Sequence, residues 1–201
     1  MTRVARWSIE WRGPDGERLR AREPTAVEVR VAAPTLAAFY NEPHNRRMLT
    51  NTCDLTAGEV GDHFAAVLAE GGRAFLLTEG DRLIGDADLR GVTATDAELA
   101  ILIGDRGRQG QGLGTRFGIM LHAFAFEVLR LGAVYAAVSA ENAASLRLFT
   151  RLGHRADDGA RARRCADALS DVTSSVTAPR FAEIAGRQAA AITFVEHAGG
   201  E

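Results

Sequence analysis

The chain has 201 residues, of which 46% are hydrophobic and 25% charged, with a formal net charge of −2. That length and balance suit one globular domain with a sizeable core, and so small a charge gives no electrostatic reason to expect nucleic acid or an anionic membrane as partner. All 24 basic residues are arginine, which excludes lysine Schiff-base chemistry, a pyridoxal-phosphate enzyme and the lysine of a P-loop.

The chain begins MTRVARWSIEW, which lacks the apolar core of a signal peptide, and no apolar run reaches the roughly 20 residues that span a bilayer, so the expected location is the cytoplasm. Trp7, Ile9 and Trp11 alternate, GPDG turns the chain at 13–16, and ERLRAR returns, so residues 1–23 read as a hairpin. A strand is expected at VEVRV (27–31), then a helix after Pro34 carrying Leu36, Phe39 and Tyr40. NEPHNRRM (41–48) reads as a polar helix connection, and DLTAGEVGDHFAAVLAEG (54–71) as an amphipathic helix capped by Thr56 and closed by Gly71. RAFLLTEGDRLIGDADLRGV gives two strands joined at Glu79-Gly80-Asp81. AELAILIG (97–104) is a nearly continuous apolar strand, which argues for burial on both faces.

Next, RQGQGLGT (108–115) opens a helix in which Leu113, Phe117, Met120, Leu121, Phe124, Val128 and Leu131 step by three and four. A buried strand, AVYAAVS (133–139), and a short helix, ENAASLRLFTRLGH (141–154), ended by Gly153, follow. Residues 97–154 therefore form a crossover unit whose two strands share one sheet. DVTSSV (171–176) reads as a closing strand, PRFAEIAGRQA as a helix and ITFVEH (192–197) as a further strand.

Glycines at 110, 112 and 114 between a strand and a helix expose backbone N–H groups at the positive end of a helix dipole, a setting suited to phosphate. A P-loop fails because Thr115-Arg116 follows the last glycine. A dinucleotide fingerprint matches at Gly110 and Gly112 but has Thr115 at its third glycine, and Arg130 where an acidic residue is needed about 20 residues on. The third reading fits residue by residue. QGQGLG (109–114) resembles the (Q/R)xxGx(G/A) signature of the GNAT superfamily of acyl-CoA-dependent N-acetyltransferases, with Gln109, Gly112 and Gly114 in the defining positions. AENAASLRLFTRLGH resembles the second motif of that family through Asn142, Ser145 and the close at 152–154. The resemblance covers residues 82–154 and is nearest to the branch that acetylates ribosomal-protein N-termini and polyamines.

It implies an α/β fold: a mixed, twisted sheet flanked by helices and splayed between strands 97–104 and 133–139 to admit the pantetheine arm. The core would run over 27–178, within a single domain spanning 1–201, with the N-terminal hairpin and a C-terminal helix–strand (179–201) as additions that pack together or mediate a homodimer. The same resemblance implies acetyl-CoA as co-substrate and places Gln109, Gly110, Gln111, Gly112, Leu113, Gly114 and Thr115 on its diphosphate. Ile101, Leu102, Ile103, Asn142, Ser145 and Phe149 are expected along the rest of the cofactor; Asn142 also suits a helix N-cap. Glu98 is the expected base, its pKa raised by apolar neighbours, and a backbone N–H near Leu102 the oxyanion donor.

Many relatives carry a proton-donating tyrosine where this chain has Phe149. Tyr135 is the nearest substitute by sequence, with a core aromatic as its other reading. Asp86 and Asp88 share a strand face that attracts a cationic acceptor or is simply solvated. His122 reads as a surface residue, while His63, His154, Cys53 and Cys165 show no metal-ligand or disulfide spacing, so no metal is expected. The expected function is acetyl transfer from acetyl-CoA to a primary amine. A non-catalytic acyl-CoA-binding module and a dinucleotide-dependent oxidoreductase are the alternatives.

Overall fold

In the computed structural model, which describes residues 5–13, 16–49 and 52–198, Trp7, Ile9 and Trp11 lie on a strand, β1 (Arg6–Arg12), that returns as β2 (Arg18–Arg22). The Gly13 N–H donates to the Glu17 carbonyl at 2.9 Å to close the turn; Pro14 and Asp15 of the expected GPDG turn lie outside the described residues.

VEVRV is not a strand. It belongs to α1 (Ala26–Asn41), which starts at a capping box: the Thr25 side chain accepts from the Glu28 N–H, and the Glu28 carboxylate accepts from the Thr25 N–H. Val29, Ala32, Ala33, Leu36 and Ala37 are buried, whereas Val27 and Val31 are 57% and 76% exposed. The cap and the apolar stripe outweigh the local strand preference of the valines. NEPHNRRM forms a short helix, α2 (Pro43–Met48), capped by the Glu42 carboxylate. α3 (Ala57–Ala69) begins at the expected Thr56 cap and packs on α1.

The remaining elements are β3 (Arg73–Glu79), β4 (Arg82–Arg90), β5 (Asp96–Ile103), α4 (Leu113–Ala123), β6 (Ala133–Ser139), α5 (Ala143–Arg151), β7 (Arg155–Ala156), α6 (Ala160–Arg163), β8 (Asp171–Thr177), α7 (Ala178–Ala189) and β9 (Ile192–His197). The strands form one sheet in the order β7-β8-β6-β5-β4-β3-β2-β1-β9. Its pairs are antiparallel except β5 with β6, the parallel pair expected of a crossover. β9 pairs with β1 along Arg6–Trp11, so the first and last strands in sequence lie side by side at one edge of the sheet.

α4 covers one face of the sheet: Phe117, Met120, Leu121 and Phe124 are fully buried with Ile9, Phe75 and Leu89. α1 and α3 cover the other through Leu36 and Phe64. The regular apolar stripe stops at Ala123, because Phe124–Val128 form a π-helical turn. That turn lets Phe124 meet Phe75 edge-on at 5.4 Å while Phe126 meets Phe181 at 5.4 Å. Among the described residues no helix is long and apolar enough to cross a membrane.

Candidate active site

β5 and β6 pair only at Asp96–Glu98 with Ala133–Tyr135. Beyond that point β6 continues to pair with β8 through Ser139, while β5 continues to pair with β4 through Ile103. Each strand keeps its outer partner and the two part from each other. β5 is consequently half-buried at Ala100, Ile101, Leu102 and Ile103, not buried on both faces as its composition suggests.

A cavity of about 630 Å³ occupies the parting. Ile101, Leu102 and Ile103 line it, with the glycine loop and α5 on one side and His44, Asn45, Met48 and Leu49 on the other. The loop is held by Gln109, whose amide donates to the Ile103 carbonyl at 2.6 Å and to Asn45 Oδ1 at 2.8 Å. Asn45 is buried and donates in turn to the carbonyls of Phe39 and Gly104. Gln109 is thus a strut between β5 and α2, and NEPHNRRM is part of the cavity wall.

Gly110 and Gly112 have φ of 76° and 79°, a region that costs a residue with a Cβ roughly 1 kcal/mol or more. Gly112 is also the N-cap of α4 and supplies no side-chain hydrogen bond, leaving first-turn N–H groups that ordinarily need a partner. Gly110, Gly112, Leu113, Gly114 and Thr115 line the cavity, and Arg106, Arg108, Arg147 and Arg151 add positive charge around it. These residues fit a diphosphate-bearing molecule. Gln111 instead points away to the Gly107 carbonyl. Asn142 caps α5 by accepting from the Ser145 N–H, and both residues line the cavity.

Other expected residues lie apart from the cavity lining. Phe149 is 5% exposed and packs on the His154 ring. Tyr135 stands beside Glu98 in register, with the Arg161 guanidinium 5.0 Å from its ring centre. Burial, with Asp157 and Asp96 adding, raises its pKa and weakens it as an acid. Glu98 pairs with Arg90 at 3.3 Å, and burial raises its carboxyl pKa, as expected, against the pull of Arg90.

Two sequence readings are corrected by burial. Asp86 and Asp88 are not a solvated face but 3% and 6% exposed, covered by α1 and α3. Tyr40 donates to Asp86 Oδ2 at 2.5 Å, and Asp88 meets His63 at 3.1 Å and Arg90 at 3.4 Å. His122 is not at the surface; it is fully buried, 2.9 Å from His154. No local pattern announces either group, because the covering helices come from elsewhere in the chain.

Residues 18–155 match the acetyltransferase (GNAT) domain family. The chain belongs to the GNAT acetyltransferases. The GNAT fold also appears in solved structures. RimJ of Mycobacterium smegmatis, in complex with CoA-disulfide, superposes with a TM-score of 0.70 at 17% identity, covering 92% of this chain and 95% of that one. A putative acetyltransferase from T. thermophilus gives 0.68 at 21% identity, covering 90% and 95%. The acetyltransferase from Agrobacterium tumefaciens gives 0.63 at 22%, covering 79% and 90%. No curated protein matches the sequence. As a GNAT protein the chain is an acyltransferase with acetyl-CoA as co-substrate, which sets aside the dinucleotide alternative.

Proposed function

We propose that this GNAT protein transfers the acetyl group of acetyl-CoA to a primary amine, such as a peptide N-terminus, a polyamine or a small-molecule amine, by direct attack of the amine on the thioester. The carrying observation is the gap between β5 and β6, which leads from the glycine loop past Ile101–Ile103 to the α2 side. Bound acetyl-CoA supplies the activated carbonyl and the thiolate leaving group. The N–H groups over 110–115 hold its diphosphate, the edge of β5 lies along its pantetheine arm with Asn142 and Ser145 opposite, and the Leu102 N–H stabilises the oxyanion. Removing such a donor costs about 3–4 kcal/mol.

An alkyl amine with a pKa of about 10.4 is neutral in only about one molecule in a few thousand at pH 7, so a group must take its proton. Glu98 is such a group, its affinity for a proton raised by burial. It stands four residues from Leu102, about 13 Å at 3.3 Å per residue, and so acts through water. Cys165 is no rival nucleophile, since burial pushes its thiol up to about 11. Phe149 has no proton to give, and the thiolate takes the second proton of the attacking nitrogen.

The test is release of free thiol from acetyl-CoA with butylamine, spermidine, an aminoglycoside and an N-terminal peptide. Thiol release with at least one amine, and an acetylated product by mass, is the expected result; silence with every amine contradicts the reading.

A further inference from the structure

The polar groups under α1 and α3 are not all accounted for by Glu98 chemistry. Asp86 lies directly across β4–β5 from Leu102, a pairing that sets Cβ atoms about 5 Å apart on one face. Leu102 lines the cavity. Asp86 is therefore closer than Glu98 to a carbonyl held at Leu102, by a factor of two or more on the spacings above.

Asp86 is also chemically unfinished. Its Oδ2 accepts from Tyr40, but its Oδ1 is buried and has no hydrogen-bond partner among the described residues. A buried carboxylate oxygen without a partner is costly, and such exceptions call for a reason. The surrounding groups do not supply one. Tyr40 from α1 occupies the other oxygen, His63 from α3 is engaged by Asp88, and Arg90 on β4 is shared between Asp88 and Glu98 of β5. Ala100, the residue between Glu98 and Leu102 on this face, faces Asp88 and adds only a methyl group.

We propose that Asp86 Oδ1 receives the ammonium group of the acceptor and takes its proton, making Asp86 the residue that selects a cationic amine and delivers it neutral to the thioester. The inference rests on the acetyl-transfer reading above. One proton passes from nitrogen to Asp86, so the water-mediated role given to Glu98 above becomes that of onward relay, not first acceptor. The freed lone pair forms the C–N bond, the C–S bond breaks, and the second nitrogen proton goes to the departing thiolate. Asp86 then loses its proton toward solvent, a step in which the more exposed Glu98 is the natural relay, so each turnover releases one proton. Burial pushes the Asp86 carboxyl up to about 7, with Asp88 adding to the rise and Tyr40 opposing it, a value suited to accepting a proton near neutrality.

The experiment compares thiol release by wild type, Asp86→Asn and Glu98→Gln across pH 5–9 with the amine set above, alongside acetyl-CoA affinity by calorimetry. Asp86→Asn should keep acetyl-CoA affinity, lose about 100-fold or more in kcat/KM for amines, and lose the acidic limb of the pH profile. Glu98→Gln should lose less and keep that limb. Asp86→Asn with near-wild-type kcat/KM, or Glu98→Gln losing more than Asp86→Asn, overturns the inference and leaves the transfer reading standing. Thiol release by none of the proteins, wild type included, overturns both. Should Asp86→Asn fail to fold, Tyr40→Phe decides: losing the donor to Oδ2 must move the acidic limb to higher pH, and an unmoved limb overturns the inference.

Discussion

Two of the buried polar clusters among the described residues lie on opposite sides of the sheet, and they are built to opposite rules. Under α4, His122 and His154 are fully matched. His122 Nδ1 lies 2.7 Å from the Gly118 carbonyl, the two Nε2 atoms are 2.9 Å apart, and His154 Nδ1 is 3.2 Å from Ser174 Oγ. With Gly118 fixed as an acceptor, His122 Nδ1 carries a proton, so His154 Nε2 donates to His122 and Ser174 donates to His154. Phe181 stacks on one ring and Phe149 packs on the other. Under α1 and α3, Asp88 and Glu98 share a single arginine, Arg90, while Asp86 has only Tyr40 on one oxygen and keeps the other unmatched. A satisfied cluster is scaffold, whereas an unsatisfied one marks a place where the fold gives up stability for chemistry.

The comparison breaks most visibly at the histidines. His154→Ala should cost about 3 kcal/mol or more, since it opens a cavity beside Phe149 and strands the His122 ring nitrogen. Turnover per folded molecule should be unchanged, as read by denaturant unfolding and saturating kinetics. Burial lowers both folded pKa values, His122 to about 4 and His154 to about 2, with His122 adding to the fall for His154. The unfolded chain binds protons more readily, so the stability these rings contribute is present above about pH 6.5 and is lost as pH falls below it.

Asp86 carries the opposite sign. Its folded pKa is raised, so its contribution is present below about pH 3.8 and is lost as pH rises through about 7. Asp86→Asn should therefore stabilise the protein at pH 8 by about 4 kcal/mol at most, and the gain should vanish by pH 4. Thermal melts of wild type and variant at the two pH values check this; a variant less stable than wild type at pH 8 would make Asp86 a structural residue.

Smaller effects sharpen the same contrast. Glu98→Gln should lower turnover at least about tenfold, or about 1.4 kcal/mol of transition-state stabilisation, with acetyl-CoA affinity intact. Gly112→Ala should add about 1 kcal/mol of backbone strain at φ 79°. It should also weaken acetyl-CoA binding several-fold, while turnover at saturation changes little.

Much of this was legible in the sequence, for reasons that differ by region. The crossover unit, the loop and the cap of α3 are written in local spacing, which is why RQGQGLGT and Thr56 lead directly to their structures. VEVRV misleads because three valines within five residues favour a strand, although Thr25 and Glu28 already spell the capping box that makes it a helix. The inward face of β4 could not be read at all. Whether Asp86 faces water or α1 depends on where Tyr40 and His63 arrive, and they lie 46 and 25 residues from their carboxylate partners. The same holds for His122, hidden by a ring 32 residues away. Gln109 matched the motif, but its strut to Asn45 needed the fold of α2.

Acetyl transfer in this molecule depends most on the gap between β5 and β6 being the cofactor channel. A crystal structure with coenzyme A tests this directly. The expected result is the diphosphate against the N–H groups of residues 110–115 and the pantetheine arm between Ile101–Ile103 and α5. Coenzyme A bound elsewhere, or β5 and β6 hydrogen-bonded along their whole length beside an empty loop, would contradict it.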